Sequence, residues 1–305
     1  MTETERKTGG PGFSLVDLGM LGAVLAWGLN FVVVKYALLE MEPLAFNGLR
    51  FLLGSGFMAL TTYLWEGDLS VKRRDVGRFL ITGIVGNTIY QILFIYGLNY
   101  TTAGNSSLLV ATNPIFVALI SGLLRLEKIS KGMWLGIILS FTGMVIVIAN
   151  GPSGLSLGSE TIRGDALTLV AGLCWAVYAV LARPLTQRYS SLKVSTFCML
   201  AGTPGLLLAG IPSLVNQDWA GISWRGWGGL VYSFLFSISL AYIAYTKAIG
   251  TLGNARTGIY SNLVPVIAMI AAALFLGDAL NPWQVVGAVV ILTGVYLTRS
   301  GGKGS

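Results

Sequence analysis

The sequence predicts an all-α integral membrane protein: ten transmembrane helices, arranged as two inverted five-helix repeats around a central cavity. Three observations predict it. Of the 305 residues, 54% are hydrophobic and only 11% charged, where an ordinary soluble domain carries about 25% charged residues, and the mean hydropathy is +0.73. So few charges cannot cover a water-soluble surface of this size. Apolar stretches of about 20 residues, the length needed to cross a hydrocarbon core about 30 Å thick, recur from end to end. The third observation is that the second half of the chain rewrites the first.

The stretches fall near 15–38, 43–65, 76–98, 103–124, 132–150, 164–186, 191–214, 225–249, 254–276 and 282–299. In order, they are separated by LEMEP, EGDLSVKRRD, NYTTAG, RLEKISK, NGPSGLSLGSETIRGD, TQRYSS, NQDWAGISW, GTLGN and GDALNP. Each connector supplies turn-formers or charges that end a helix or cannot enter lipid. Backbone polar groups find no water in the bilayer core, so helices are the economical form; the period-two alternation of a barrel strand is missing. Forty glycines suit helices that pack closely in lipid. The opening MTETERKTGGPGF lacks the pattern of a cleaved signal peptide, so the first helix is expected to be retained.

Charge sets the expected orientation. Lys and Arg concentrate in cytoplasmic loops. With both termini inside, sixteen of the twenty basic residues fall inside, while Arg163 and Arg225 fall outside and Lys35 and Arg50 lie just within helices near the outer face. A multi-pass protein of the cell inner membrane, with cytoplasmic N- and C-termini, follows. The net charge of +7 is then a topology signal, and no nucleic-acid partner is expected.

The repeat is visible residue by residue. LAWGLNFVVVK (25–35) returns as LCWAVYAVLAR (173–183): Trp27 maps to Trp175, Lys35 to Arg183 and, upstream, Asp17 to Asp165, all at an offset of 148. YGLNYTTAGN (96–105) maps to YTKAIGTLGN (245–254) at 149. Pro114 maps to Pro265, Glu127 to Asp278, Gly136 to Gly287 and Thr142-Gly143 to Thr293-Gly294 at 151. Residues 1–150 and 151–305 are thus read as two five-helix units. An odd number of spans puts the second copy into the membrane from the opposite side, and inverted repeats of this kind mark alternating-access carriers; a duplicated but static membrane protein is the competing reading.

WGLNFVVVK, then LRFLLG, GNSSLLVATNPIFVALI and the LE…WLG…TG pattern resemble the EamA-type family of the drug/metabolite transporter superfamily over nearly the whole chain. Within it the chain looks most like bacterial aromatic-amino-acid exporters of the YddG type. The resemblance implies a basket of helices one, three, four, six, eight and nine around a central cavity, and export of small metabolites from the cytoplasm. Helix seven has no arginine matching Arg50, so a role for Arg50 has no symmetric partner.

Sites in such folds lie near mid-membrane at the repeat interface. The candidate substrate-binding residues about ten positions into each span are Trp27 and Asn30 in helix one, Asn87 and Tyr90 (with Gln91 on the same stripe) in helix three, and Asn113 in helix four. In the second half they are Trp175 and Tyr178 in helix six, Ser239 and Tyr242 in helix eight, and Asn262 in helix nine. Rings offer contact area with edge polarity and amides offer donors and acceptors; together they suit a neutral or zwitterionic metabolite with an apolar side chain, an amino acid above all. Packing and interhelical bonding are the alternative roles for the same residues. Pro114 and Pro265 each remove a backbone hydrogen bond, so they kink or hinge helices four and nine, and the freed carbonyls of Val110 and Ser261 are available to a ligand. Arg50 is expected to snorkel to the outer surface or pair with Glu40 or Glu42, with a substrate carboxylate as the sharper alternative.

No metal or other cofactor is expected. The chain has no histidine, and Cys174 and Cys198 show no metal or disulfide spacing. Every Asp and Glu falls in a loop or near a helix end, so substrate-gradient-driven exchange without obligatory proton coupling is expected. The rivals are a carrier of sugar phosphates, nucleotide sugars or organic cations and, from another class, a membrane-embedded enzyme, which would need paired carboxylates or a Cys/His site that the spans lack. One complete two-repeat unit per chain suggests that a monomer suffices.

Overall fold

The computed structural model describes residues 14–100, 109, 112–126, 129–150, 162–276 and 281–300. The inter-repeat linker, the first part of span four with Val110, and the loop residues Glu127 and Asp278 lie outside them. Among the described residues there are helices and turns and no strand. In chain order they are α1 (Leu15–Ala37), α2 (Pro43–Glu66), α3 (Arg73–Gly83, Ile84–Ile89 and Tyr90–Tyr100), α4 (Asn113–Leu123) and α5 (Lys131–Ala149). Then follow α6 (Ile162–Thr186), α7 (Ser191–Asn216), α8 (Trp224–Tyr232, Ser233–Leu240 and Ala241–Leu252), α9 (Asn254–Gly258, Ile259–Leu263 and Val264–Leu276) and α10 (Pro282–Ser300).

Seven of these are long and apolar enough by themselves to cross a bilayer: those starting at Leu15, Pro43, Arg73, Lys131, Ile162, Ser191 and Trp224. Asn113–Leu123 and Pro282–Thr298 are shorter apolar helices. The sequence expects ten spans; the other three are α4, whose upstream part is not described, α9, which a 3-10 turn at Ile259–Leu263 divides, and α10, whose apolar part is the shorter Pro282–Thr298.

Helix ends follow from local chemistry. Ser14 and Asp17 form a reciprocal capping box at the start of α1, which satisfies backbone donors that have no partner in the first turn. Ser130, Ser190 and Ser223 accept from backbone N–H groups at the starts of α5, α7 and α8. Gly67 ends α2 with φ at +75°, a conformation that glycine adopts without steric cost.

The principal packing partners are α5 with α10, α2 with α7, α3 with α6, α1 with α8, α3 with α7, α1 with α9, α2 with α8 and α4 with α6. Exchanging each helix for the one five places along leaves this set unchanged: α1–α8 becomes α6–α3, α1–α9 becomes α6–α4, α3–α7 becomes α8–α2, and α5–α10 and α2–α7 map onto themselves. The seam between α5 and α10 is built from small residues. A Cβ on Gly143 would stand 2.6 Å from the Gly287 carbonyl oxygen, and one on Gly287 would stand 2.6 Å from that of Gly143, so only glycine permits this approach of the backbones.

The two ends of the bundle are held differently. Where the α2–α3 loop meets the α6–α7 loop, Arg188 pairs with Asp75 at 2.6 Å and the Tyr189 hydroxyl donates to the same carboxylate at 2.8 Å; Lys193 pairs with Asp68. At the far end of α2, the α1–α2 loop meets the α7–α8 loop. There Glu40 accepts from the backbone N–H and the hydroxyl of Ser223, both at 2.8 Å, and Gln217 accepts from the Glu42 N–H at 2.7 Å.

Candidate functional site

In α3 and α8 the α-helical hydrogen bonding gives way to π-helical turns, Ile84–Ile89 and Ser233–Leu240. Their first residues are 149 apart, the offset at which this part of the repeat aligns. A π turn widens the helix by one residue and often marks a functional site. The Gly86 turn lies directly against the Tyr178 ring, where a Cβ would collide with it. The Ser237 carbonyl in the other turn accepts the Trp27 indole N–H at 2.8 Å.

Between these two turns the structure gathers an aromatic cluster from both halves of the chain. Trp27 meets Trp175 edge to face at 6.3 Å between centroids and Tyr245 at 5.7 Å. Trp175 is the hub, with Tyr90 and Tyr178 at 5.1 Å, Tyr245 at 5.2 Å and Tyr242 at 5.4 Å. Its indole N–H donates to the Tyr245 hydroxyl at 3.1 Å, and Asn113 lies beside that hydroxyl. Such ring geometries contribute about 0.5–1.5 kcal/mol per pair beyond area burial. Trp175 keeps 7% of its surface exposed, while Trp27, Asn30 and Tyr90 are half-buried; this is the place where the sequence expects the central cavity.

A polar chain adjoins the rings. The Ser233 hydroxyl donates to the Asn30 side-chain oxygen at 2.6 Å and accepts from Arg50 at 3.2 Å. Arg50 also donates to Gln91 at 3.0 Å, and Gln91 in turn reaches the Tyr242 hydroxyl at 3.5 Å and accepts from Asn47 at 3.3 Å.

Of the sequence candidates, Trp27, Asn30, Tyr90, Asn113, Trp175, Tyr178 and Tyr242 therefore come together. Asn87, Ser239 and Asn262 stand apart from the cluster. Asn87 donates to the Cys198 carbonyl of α7 at 2.9 Å, and Asn262 donates to Ser140 of α5 at 2.8 Å. Ser239 bonds the Phe234 carbonyl within its own helix at 2.7 Å and packs beside Gly54 of α2. Pro114 lies in the first turn of α4 after a break at Thr112, and Pro265 in the first turn of the last part of α9 after its 3-10 turn. Both helices are interrupted just upstream of the proline, and the proline itself sits where a missing N–H costs least.

The expectation for Arg50 is corrected. It does not snorkel outward or pair with Glu40 or Glu42; Glu40 is engaged by Ser223, and Arg50 turns inward to 6% exposure. Sequence reasoning did not select Tyr245, Ser233 or Asn47. Tyr245 was in view, as the matching tyrosine of YTKAIGTLGN. Asp17 is wholly buried although it lies in the first turn of α1, and it accepts from the Tyr260 hydroxyl at 2.5 Å.

Comparison with known proteins decides the class. The EamA-like transporter family matches residues 14–149 and, a second time, residues 162–300. The chain belongs to the EamA-like transporter family. This EamA-like protein is 28% identical over 283 residues to an uncharacterized transporter of Bacillus subtilis, YyaM, covering 92% of each chain. It is 26% identical over 278 residues, 90% of each chain, to a protein of Streptantibioticus cattleyicolor named "Probable terminal-alkyne amino-acid exporter". A solved crystal structure superposes with a TM-score of 0.79 at 18% identity, over 94% of this chain and 96% of the other, and establishes the fold alone. The EamA-like chain is thus a multi-pass membrane transporter of small molecules and not an enzyme.

Proposed function

We propose that this transporter exports amino acids with aromatic or other neutral side chains, and similar small metabolites, across the cell inner membrane by alternating access. Residues 1–150 and 151–305 act as two inverted repeats, both termini face the cytoplasm, and a monomer suffices. The observation that carries the reading is the Trp27–Trp175 contact. Two residues that the repeat equates meet at the centre of the helices that the repeats exchange, within one ring of Tyr90, Tyr178, Tyr242 and Tyr245. Ring faces around amide and hydroxyl groups suit a zwitterion with an apolar side chain. The double family match and the helix pairing that survives exchange support the repeat, and the named exporter from Streptantibioticus supports the substrate class.

The chemistry of the chain also supports exchange driven by the substrate's own gradient. Among the described residues, the cluster contains no carboxylate or histidine that could carry a proton. Reconstitution of the full chain into liposomes, with a panel of amino acids, phosphorylated sugars and quaternary amines, tests the proposal. Counterflow of phenylalanine or leucine without an imposed pH gradient is expected; selective uptake of the phosphates or amines overturns it.

A further inference from the structure

We propose that Arg50, framed by Gln91 and Ser233, receives the carboxylate of the transported molecule. The substrate class is then a small carboxylate with an apolar side chain, and an amide or amine of the same shape is rejected. The inference deepens the amino-acid reading above and rests on it.

A guanidinium keeps its charge in a protein, and a desolvated charge is costly unless a counter-charge or a full set of hydrogen bonds meets it. Arg50 has neither. It is 6% exposed, and among the described residues no carboxylate pairs with it; its neighbours are the neutral Ser233 and Gln91 and the rings of Phe46 and Phe51, 5.4 and 5.7 Å from its central carbon. A guanidinium offers five N–H donors. Among the described residues two bonds are made, through the two terminal nitrogens, and Nε has no acceptor. The carboxylates nearest in sequence are not at hand, because Glu40 accepts twice from Ser223 and Glu42 is exposed at the start of α2.

The position of Arg50 is held from both sides. Ser233 opens the π turn of α8, and Gln91 follows two residues after the π turn of α3. Gln91 also spans the gap to the rings, since it reaches Tyr242, which lies against Trp175. A molecule with its carboxylate on the fork of Arg50, the planar geometry that favours bidentate binding, therefore has aromatic faces within reach of its side chain.

The test uses the full chain in detergent or liposomes, with binding read by quenching of indole fluorescence and by calorimetry. The probes are L-phenylalanine, L-leucine, the amides of both, and glucose 6-phosphate. Wild-type protein is expected to bind each acid roughly 10- to 100-fold more tightly than its amide, the range for hydrogen bonds to a charged group. Arg50→Gln is expected to lose that preference by weakening the acid alone, Arg50→Lys to retain part of it, and Arg225→Gln, an exposed cation beside Trp224, to leave it intact. If Arg50→Gln does not fold, the wild-type acid-to-amide ratio and Arg50→Lys still decide. Equal binding of acid and amide by the wild type, or an undiminished preference in Arg50→Gln, overturns the assignment. Amino acids bound alike by wild type and Arg50→Gln would sink the Arg50 assignment and leave the amino-acid reading standing; preferential binding of glucose 6-phosphate would sink both.

Discussion

Where α5 meets α10, the two halves of the chain touch through Gly143 and Gly287, backbone against backbone. Where α1, α3, α6 and α8 meet, the halves touch through Trp27, Trp175 and four tyrosines, with the Tyr178 hydroxyl and Nε of Arg50 left without partners among the described residues. The first contact has no room to change, and every polar group on it can be satisfied inside its own helix. The second joins large side chains through a few directional bonds, so its parts can be exchanged for bonds to another molecule. The comparison separates what holds the halves together from what they enclose.

The largest effect is expected at the seam. In Gly143→Val the new side chain meets the Gly287 carbonyl oxygen at 2.6 Å and the Ile291 nitrogen at 2.7 Å. These are backbone atoms that cannot rotate away, so the cost exceeds the usual 1–3 kcal/mol or so of overpacking. Loss of the monodisperse peak on size exclusion and a collapse of the thermal midpoint are expected; a stable, monodisperse variant would remove the distinction between the two contacts.

A matched pair of variants sharpens it. Trp175→Phe keeps part of the ring contact and loses the N–H bond to Tyr245, so amino-acid counterflow should fall by about tenfold, the equivalent of one hydrogen bond, and the melting temperature should fall with it, since the buried hub gives up volume as well as a bond. Asn87→Leu removes the bond to the Cys198 carbonyl and should act on stability alone, costing about 0.6 kcal/mol, the mean for interhelical bonds in lipid, with substrate preference unaltered. If both variants alter substrate preference, the cluster as drawn is too small.

The smallest effect belongs to the charged end of the bundle. Hydrogen bonds from Lys193 and then Ser70 hold the exposed Asp68 carboxyl below its ordinary value. A carboxyl depressed in the folded state stabilises above its unfolded pKa and loses that contribution as pH falls through the folded one. The window lies therefore below about pH 4. Asp68→Asn should leave the melting temperature within a degree or so at pH 7, because exposed pairs contribute little, and should flatten its decline in acid. Thermal scans from pH 7 to pH 3 check it.

The fold was largely legible in the sequence because a bilayer translates length and hydropathy directly into helices, and an offset of about 149 residues marked both halves. Trp27 and Trp175 were legible for the same reason. What could not be read was rotation about each helix axis. Asn87 and Gln91 lie four residues apart on α3, yet one bonds α7 and the other Arg50; Asn87 sits within the π turn and Gln91 after it, and the turn shifts the face that follows. Hydropathy carries no signal for that turn, and so the inward direction of Arg50 and the place of Tyr245 are visible only in the folded structure.

That one-residue widening has a genetic corollary. A π turn takes up one residue more than an α turn, so deleting a single codon between Ser233 and Leu240 would restore an ordinary ladder and leave the helix faces on either side of it in register. Such a shortened chain would keep its hydropathy profile and its outline. What it would give up is the bulge itself, and with it the carbonyl that Ser237 offers to the Trp27 indole.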